Sequence, residues 1–210
     1  MIYNRKTVSI ITAPASFGVT AVDMEAFLAL ASGQDTALLE AFIEASYDAI
    51  RQYLRRSIIT ETLELRMDGF PGYNDARELA LGPGMHLTSH PWVTNGGGSV
   101  IDIPFGPVAS ITSIKSYDRD NAESTLSSTY YRADASRVFL NDGATWPVNL
   151  RSRDAVAIRY VSGEADPPAA IIQAIKQHVA AMYECREGCD IPAACKAILS
   201  PYRRLDPMGF

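Results

Sequence analysis

The sequence is short of the side chains that most catalytic and metal chemistry needs. It has three cysteines and three histidines in 210 residues. The cysteines, Cys185, Cys189 and Cys195, form an odd cluster rather than the even, spaced framework of a disulfide-stapled secreted domain. No apolar run approaches the roughly 20 residues that a membrane helix needs. The opening MIYNRKTVSIITAPASFGV is broken by Thr7, Ser9, Thr12 and Pro14, which leaves no signal-peptide core. Positive charge is not in excess either: 19 Lys and Arg stand against 24 Asp and Glu, a formal charge of −5. Bulk electrostatics therefore give no pull toward nucleic acid or anionic lipid. Internal repeats and low-complexity blocks are also missing. These absences predict a soluble, unsecreted protein with no membrane partner.

Catalytic signatures are equally scarce. There is no GxSxG, no P-loop and no GxGxxG after a strand. NGGGS, Asn95 to Ser99, lacks the Lys and the helix of a phosphate cradle and reads as a linker. His86 and His90 in HLTSH have the spacing of two metal ligands on one helix face. Pro83, Gly84 and Pro91 oppose a helix there, and no Glu lies between the histidines, so two loop histidines are the plainer reading. His178, Cys185, Cys189 and Cys195 have the donor types of a structural zinc site, but they form no CxxC knuckle, and Cys185 and Cys189 share a face only if a helix runs through Gly188. They leave a zinc-stabilised DNA-binding or regulatory domain as the second reading. KSYDRDNAES gathers Asp118, Asp120, Asn121 and Glu123 in six residues. Its flanks are strand-like, whereas a helix-loop-helix calcium site needs helices, a Gly and a bidentate Glu at fixed positions. Asp and Asn at a hairpin reversal explain it, with contact to a neighbouring protein as its remaining functional use. The residues thus predict no enzyme, no cofactor and no assigned metal site.

What is present is a core and a clear order of elements. With 47% apolar and 20% charged residues, one ordinary domain, 1–210, is expected. Thr20 with Asp23 forms a capping-box pattern ahead of a short helix. Asp35 is placed to cap a longer one, in which Leu38, Leu39, Phe42, Ile43, Ala45, Ala49, Ile50, Tyr53 and Leu54 recur at helical intervals. The period then drops to two: Leu63, Leu65 and Met67 face one way, Thr62, Glu64 and Arg66 the other. Residues 73–99 read as an inserted loop. From Val100, the segments VIDI, VASITSIKSY, STYYRA, RVFLN and AVAIRYVSG predict a compact, mainly antiparallel sheet. Asp166 and Pro167 open a second long helix to about Glu187, with Ile171, Ile175, His178, Met182 and Cys185 as its stripe. A short helix from Pro192, stopped by Pro201, leads into the C-terminal tail 201–210.

The order and spacing of these pieces, from about Thr20 to Arg203, resemble the head-tail connector, or adaptor, proteins of tailed phages and of phage-derived gene transfer agents. The pieces that carry the resemblance are Pro107 to Ile111 followed by Tyr117 and Asp118, Trp146 and Pro147, and Tyr160 to Gly163. Ala174 with Ile175, Tyr183 to Glu187, and the closing Pro-Tyr-Arg complete it. The segment between FPG and VIDIPFGP is longer than that pattern. The resemblance implies an α+β fold that is mainly a helical bundle, with two long helices, short N- and C-terminal helices and a small antiparallel β part. It implies no enzymatic activity but a structural virion subunit. Many copies, typically twelve, would self-associate into a ring under the portal protein and extend the DNA channel without sequence-specific DNA binding. The ring would dock the next head-completion (stopper) or tail protein, and assembly would take place in the bacterial cytoplasm. The C-terminal segment of such adaptors commonly engages the portal. Tyr202, Arg203 and Arg204 are therefore the candidate portal contacts, since aromatic plus Arg suits an interface anchor. Trp146 is assigned to packing.

Overall fold

The computed structural model describes residues 5–71, 100–185 and 189–204. His86, His90, the NGGGS linker, the inserted loop 73–99 and most of the tail 201–210 lie outside the described residues. The chain divides into two compact units, one from the described parts of Met1–Thr12 and Thr62–Val161, the other from those of Ala13–Glu61 and Ser162–Phe210.

The first unit is made of strands. A five-stranded sheet has the order β1-β2-β8-β4-β5, with β1 at Lys6–Thr12, β2 at Glu61–Met67, β4 at Val108–Tyr117, β5 at Glu123–Thr125 and β8 at Val156–Ser162. A three-stranded sheet has the order β3-β7-β6, with β3 at Val100–Asp102, β6 at Tyr131–Ala133 and β7 at Arg137–Leu140. The period-two pattern of β2 does what it predicts, because Leu63, Leu65 and Met67 are all buried. They join Ile114, Val156, Ile158 and Tyr160 from their own sheet and Ile101 and Val138 from the smaller one in a single apolar cluster. Trp146 belongs to packing as expected: its ring stacks on Phe70 at 4.5 Å between centroids and 5° between planes. The buried Tyr160 hydroxyl donates to the Pro104 carbonyl at 2.9 Å.

The second unit is helical: α1 is Ala21–Leu28, α2 Thr36–Leu54, α3 Ala169–Cys185 and α4 Ala193–Leu199. The capping box forms, with the Thr20 hydroxyl accepting from the Asp23 amide at 3.2 Å and the Asp23 carboxylate accepting from the Thr20 amide at 3.0 Å. That bonding holds the Asp23 carboxyl below its usual range. Asp35 occupies the cap position of α2 but makes no side-chain cap bond. Its carboxylate instead accepts from the Tyr183 hydroxyl at 2.8 Å, tying α3 to the start of α2. The α2 stripe is also turned from its predicted face: Leu39, Ile43, Ser46, Tyr47, Ile50, Arg51 and Leu54 are buried, and Leu38 is 41% exposed. Helix α3 buries Ile171, Ala174, Ile175, His178 and Val179, while Cys185 is exposed.

One closing contact in this unit depends on glycine. Gly163 has φ +98°, and a Cβ there would lie 2.3 Å from the Ile59 carbonyl oxygen. Only glycine fits both the dihedral and the space, which gives a physical reason for the glycine that ends Tyr160 to Gly163.

The expected fold class does not hold. Among the described residues helix makes up 34% and strand 30%, with four short helices and eight strands in two antiparallel sheets, which is not a mainly helical bundle with two long helices and a small β part. Six of the eight strands fall in segments that read as strands from the sequence, so what fails is the small β share that the resemblance implied, and two further edge strands enlarge the sheet. The opening segment enters the sheet as β1, paired with β2 from Lys6↔Met67 to Thr12↔Thr62, and β5 adds Glu123 to Thr125 at the opposite edge.

Candidate assembly surface

The polar groups that looked most chemical are occupied by the fold itself. His178 is 2% exposed, with Nδ1 3.0 Å from Ser46 Oγ and Nε2 3.3 Å from the Cys189 carbonyl oxygen. This Ser–His pair is not a nucleophile with its base, because Ser46 is buried and its hydroxyl also reaches the Ile175 carbonyl at 3.4 Å. Cys195 is buried against Gln177 Oε1 at 3.5 Å, and burial pushes its thiol pKa up, which disfavours the thiolate a metal would take. No group of three or more His, Cys, Asp or Glu side chains that would hold a metal occurs among the described residues. The zinc reading thus finds no donor set there.

Other buried charges are also structural. Arg51 on α2 meets Glu61 at 2.8 Å, with side chains 8% and 0% exposed, and Ser57 hydrogen-bonds the same carboxylate oxygen. Glu61 Oε2 has no hydrogen-bond partner among the described residues. Nearby, the Tyr47 hydroxyl accepts from the Ile59 amide at 3.2 Å, and burial pushes its pKa up to about 12. Glu25 accepts from the Gly33 amide and the Thr36 hydroxyl, both at 3.1 Å, and so ties the α1–α2 connection.

The acidic cluster of KSYDRDNAES forms the reversal between β4 and β5. Asp118 Oδ1 accepts from the amides of Asp120 and Ala122 at 2.9 and 2.8 Å, and Asn121 takes φ +62°. Arg151 braces the turn, bonding Asn121 Oδ1 at 3.2 Å and lying over the Tyr117 ring at 4.3 Å. The carboxylate of Asp118 is spent on backbone donors rather than held for a cation.

The polar face of the large sheet is cross-linked by charge. Glu64 receives Arg159 at 2.8 Å and Arg66 at 2.7 Å. Burial raises the Glu64 pKa, but the two guanidinium hydrogen bonds outweigh it and leave the carboxyl below its usual range. Lys115 pairs with Glu123 at 2.6 Å, and the Tyr117 hydroxyl donates to the same carboxylate at 2.9 Å.

What remains free is surface. In the strand unit, Ile10 and Ile11 on edge strand β1 are 49% and 46% exposed, and Val148 and Tyr130 also face solvent. In the helical unit, Val22, Phe27 and Leu38 are exposed. The three candidate portal residues come together where the chain leaves α4. Tyr202 is half-buried against the helical core, the Arg203 guanidinium lies 5.1 Å over the Tyr53 ring, and the Arg204 amide donates to the Leu54 carbonyl at 2.9 Å. Sequence reasoning missed Ile10 and Ile11; the alternation in TVSIIT was the signal for that strand.

Among solved structures, one chain from the "Neck of empty GTA particle computed with C6 symmetry" matches at TM-score 0.72 and 18% identity, over 97% of this chain and 98% of that one. The fold is that of a gene transfer agent neck component. A chain from the "Virion of native gene transfer agent (GTA) particle" matches at TM-score 0.71 and 17% identity, and one from the "Neck of native GTA particle computed with C12 symmetry" at 0.68 and 17%, each with the same coverage. The neck-component fold therefore extends over both units rather than one. No protein-family model matches the sequence, and a comparison with curated proteins finds no match. No helix among the described residues is long and apolar enough to cross a membrane.

Proposed function

We propose that this protein is a structural head-tail connector (adaptor) subunit of a tailed phage or phage-like particle. Copies of it assemble as a dodecameric ring under the portal, extend the DNA channel and dock the next head-completion or tail protein. The observation that carries this reading is the likeness to gene transfer agent neck chains over 97% of the sequence. A ring subunit needs two different side surfaces that meet head to tail and close by rotation. Such contacts are spread over large areas and leave no compact motif, in keeping with the occupied polar clusters and exposed apolar side chains above. The net charge of −5 suits a channel through which DNA slides, since each phosphate neutralised by a basic lining adds affinity and drag. The protein has no catalytic role in this account.

Tyr202, Arg203 and Arg204 are the proposed portal contacts, with the half-buried Tyr202 anchoring the two arginines where they leave the helical unit. Reversing both charges, Arg203→Glu with Arg204→Glu, is expected to weaken co-purification with the portal while the chain still folds, with only a small drop in melting temperature from loss of the Arg203–Tyr53 contact; unchanged co-purification removes them from the interface. The function is tested by producing particles without this chain and imaging them by electron microscopy. Heads that fill with DNA but carry no tail are expected, and normally tailed particles would sink the proposal.

A further inference from the structure

The outer strands of the five-stranded sheet, β1 and β5, each have a single neighbouring strand among the described residues. An open strand edge is a template for another chain, and proteins that leave it unused blunt it with charge, proline or a bulge. Between Thr7 and Thr12, β1 carries no charge and no proline, and its register shift comes only at Ile10 to Thr12. At the opposite edge, all three β5 residues are exposed.

Three physical constraints fix how these edges meet if copies are related by rotation. The first is direction. The sheet is antiparallel, and four reversals separate β1 from β5, so the two strands run the same way. Rotation to the next of twelve copies turns a strand by about 30° at most, which preserves that sense and makes the contact parallel. The second is the pleat. Thr7 and Ser9 lie opposite Arg66 and Glu64, and Glu123 and Thr125 lie opposite Tyr117 and Lys115, all on the polar face of the sheet. A period of two allows only registers that match faces. The third is charge: of those registers, the one with Arg5 beside Glu123 sets opposite charges together, with Thr7 beside Thr125 and Ser9 beside Ser127.

We infer that β1 of one copy adds in parallel to β5 of the next, joining the sheets of neighbouring subunits head to tail with Arg5 beside Glu123. This rests on the proposed ring, and the test separates the two claims. Neighbouring strands lie about 4.8 Å apart, within the span of a disulfide, roughly 4.4–6.8 Å between Cα atoms. Thr7→Cys and Thr125→Cys, both at exposed positions, are placed in a chain whose Cys185 and Cys189 are changed to Ser, and rings assembled on the portal are imaged and then mildly oxidised. A ladder of covalent oligomers in the double variant, with monomers in each single variant, is the expected result. Rings without a ladder overturn the edge pairing and leave the ring reading standing. Dimers from Thr7→Cys alone place β1 against β1 and also overturn it. Absence of rings in the parent chain overturns both claims.

Discussion

Replacing Gly163 with alanine puts the packing argument to a quantitative test. The backbone at φ +98° strains any residue with a Cβ, at about 1–3 kcal/mol. The added carbon would also sit 2.3 Å from the Ile59 carbonyl oxygen, 2.5 Å from its carbon and 2.9 Å from the Thr60 nitrogen. Those atoms are backbone and cannot swing aside, so the segment must shift. Two hydrogen bonds are carried by that segment, Glu164 amide to Ile58 carbonyl at 3.3 Å and Ile59 amide to Tyr47 hydroxyl at 3.2 Å, each worth about 1 kcal/mol. The total is about 3–5 kcal/mol, a large part of the roughly 5–15 kcal/mol that holds an ordinary domain together. Gly143 is the control: it has φ +79°, but its Cβ would meet nothing within 4 Å, so Gly143→Ala carries only the dihedral cost of about 1–3 kcal/mol. Urea unfolding at equilibrium, followed by circular dichroism, measures both. A Gly163→Ala loss no larger than that of Gly143→Ala would refute the collision argument.

Two further expectations follow from buried charge. Arg51→Ala leaves the Glu61 carboxylate uncompensated and is expected to cost about 3–5 kcal/mol, whereas Arg51→Met with Glu61→Leu costs less than the single change; urea midpoints of the three variants decide it. Glu64 has a folded pKa below its unfolded value of about 4.3. Its contribution is therefore present above that pH and lost as pH falls through the folded value. Stability curves of wild type and Glu64→Gln should differ at neutral pH and converge toward acid; a gap that stays unchanged down to the most acid pH at which both remain folded counts against the Arg159–Glu64–Arg66 network.

Strongly periodic or locally signalled features could be read from sequence. The Thr20–Asp23 capping box, the alternation of Leu63, Leu65 and Met67, and the Asp118–Asn121 turn rest on neighbours a few residues away. Features set by distant partners were hidden. Ser46, Tyr47 and Arg51 look like polar interruptions of the α2 stripe, yet they are buried because His178, the Ile59 amide and Glu61 satisfy them. Asp35 looks like a cap until Tyr183, 148 residues away, takes its carboxylate. Strand β5 has three residues, too few for a period, and the division into two sheets depends on pairings such as Val100↔Phe139 that no local pattern encodes. The periodic segments already implied a large β share; the small β part came from the resemblance, and the described residues divide nearly equally between helix and strand. The neck-component reading was legible only through the order of many weak pieces, and at 18% identity no single residue carries it.

The central claim is assembly, and cryo-electron microscopy of this protein mixed with the portal of its own particle tests it most directly. The account predicts a closed ring of this chain, with cyclic symmetry, seated on the portal. A portal that stays bare at every protein concentration and ionic strength tried would contradict it.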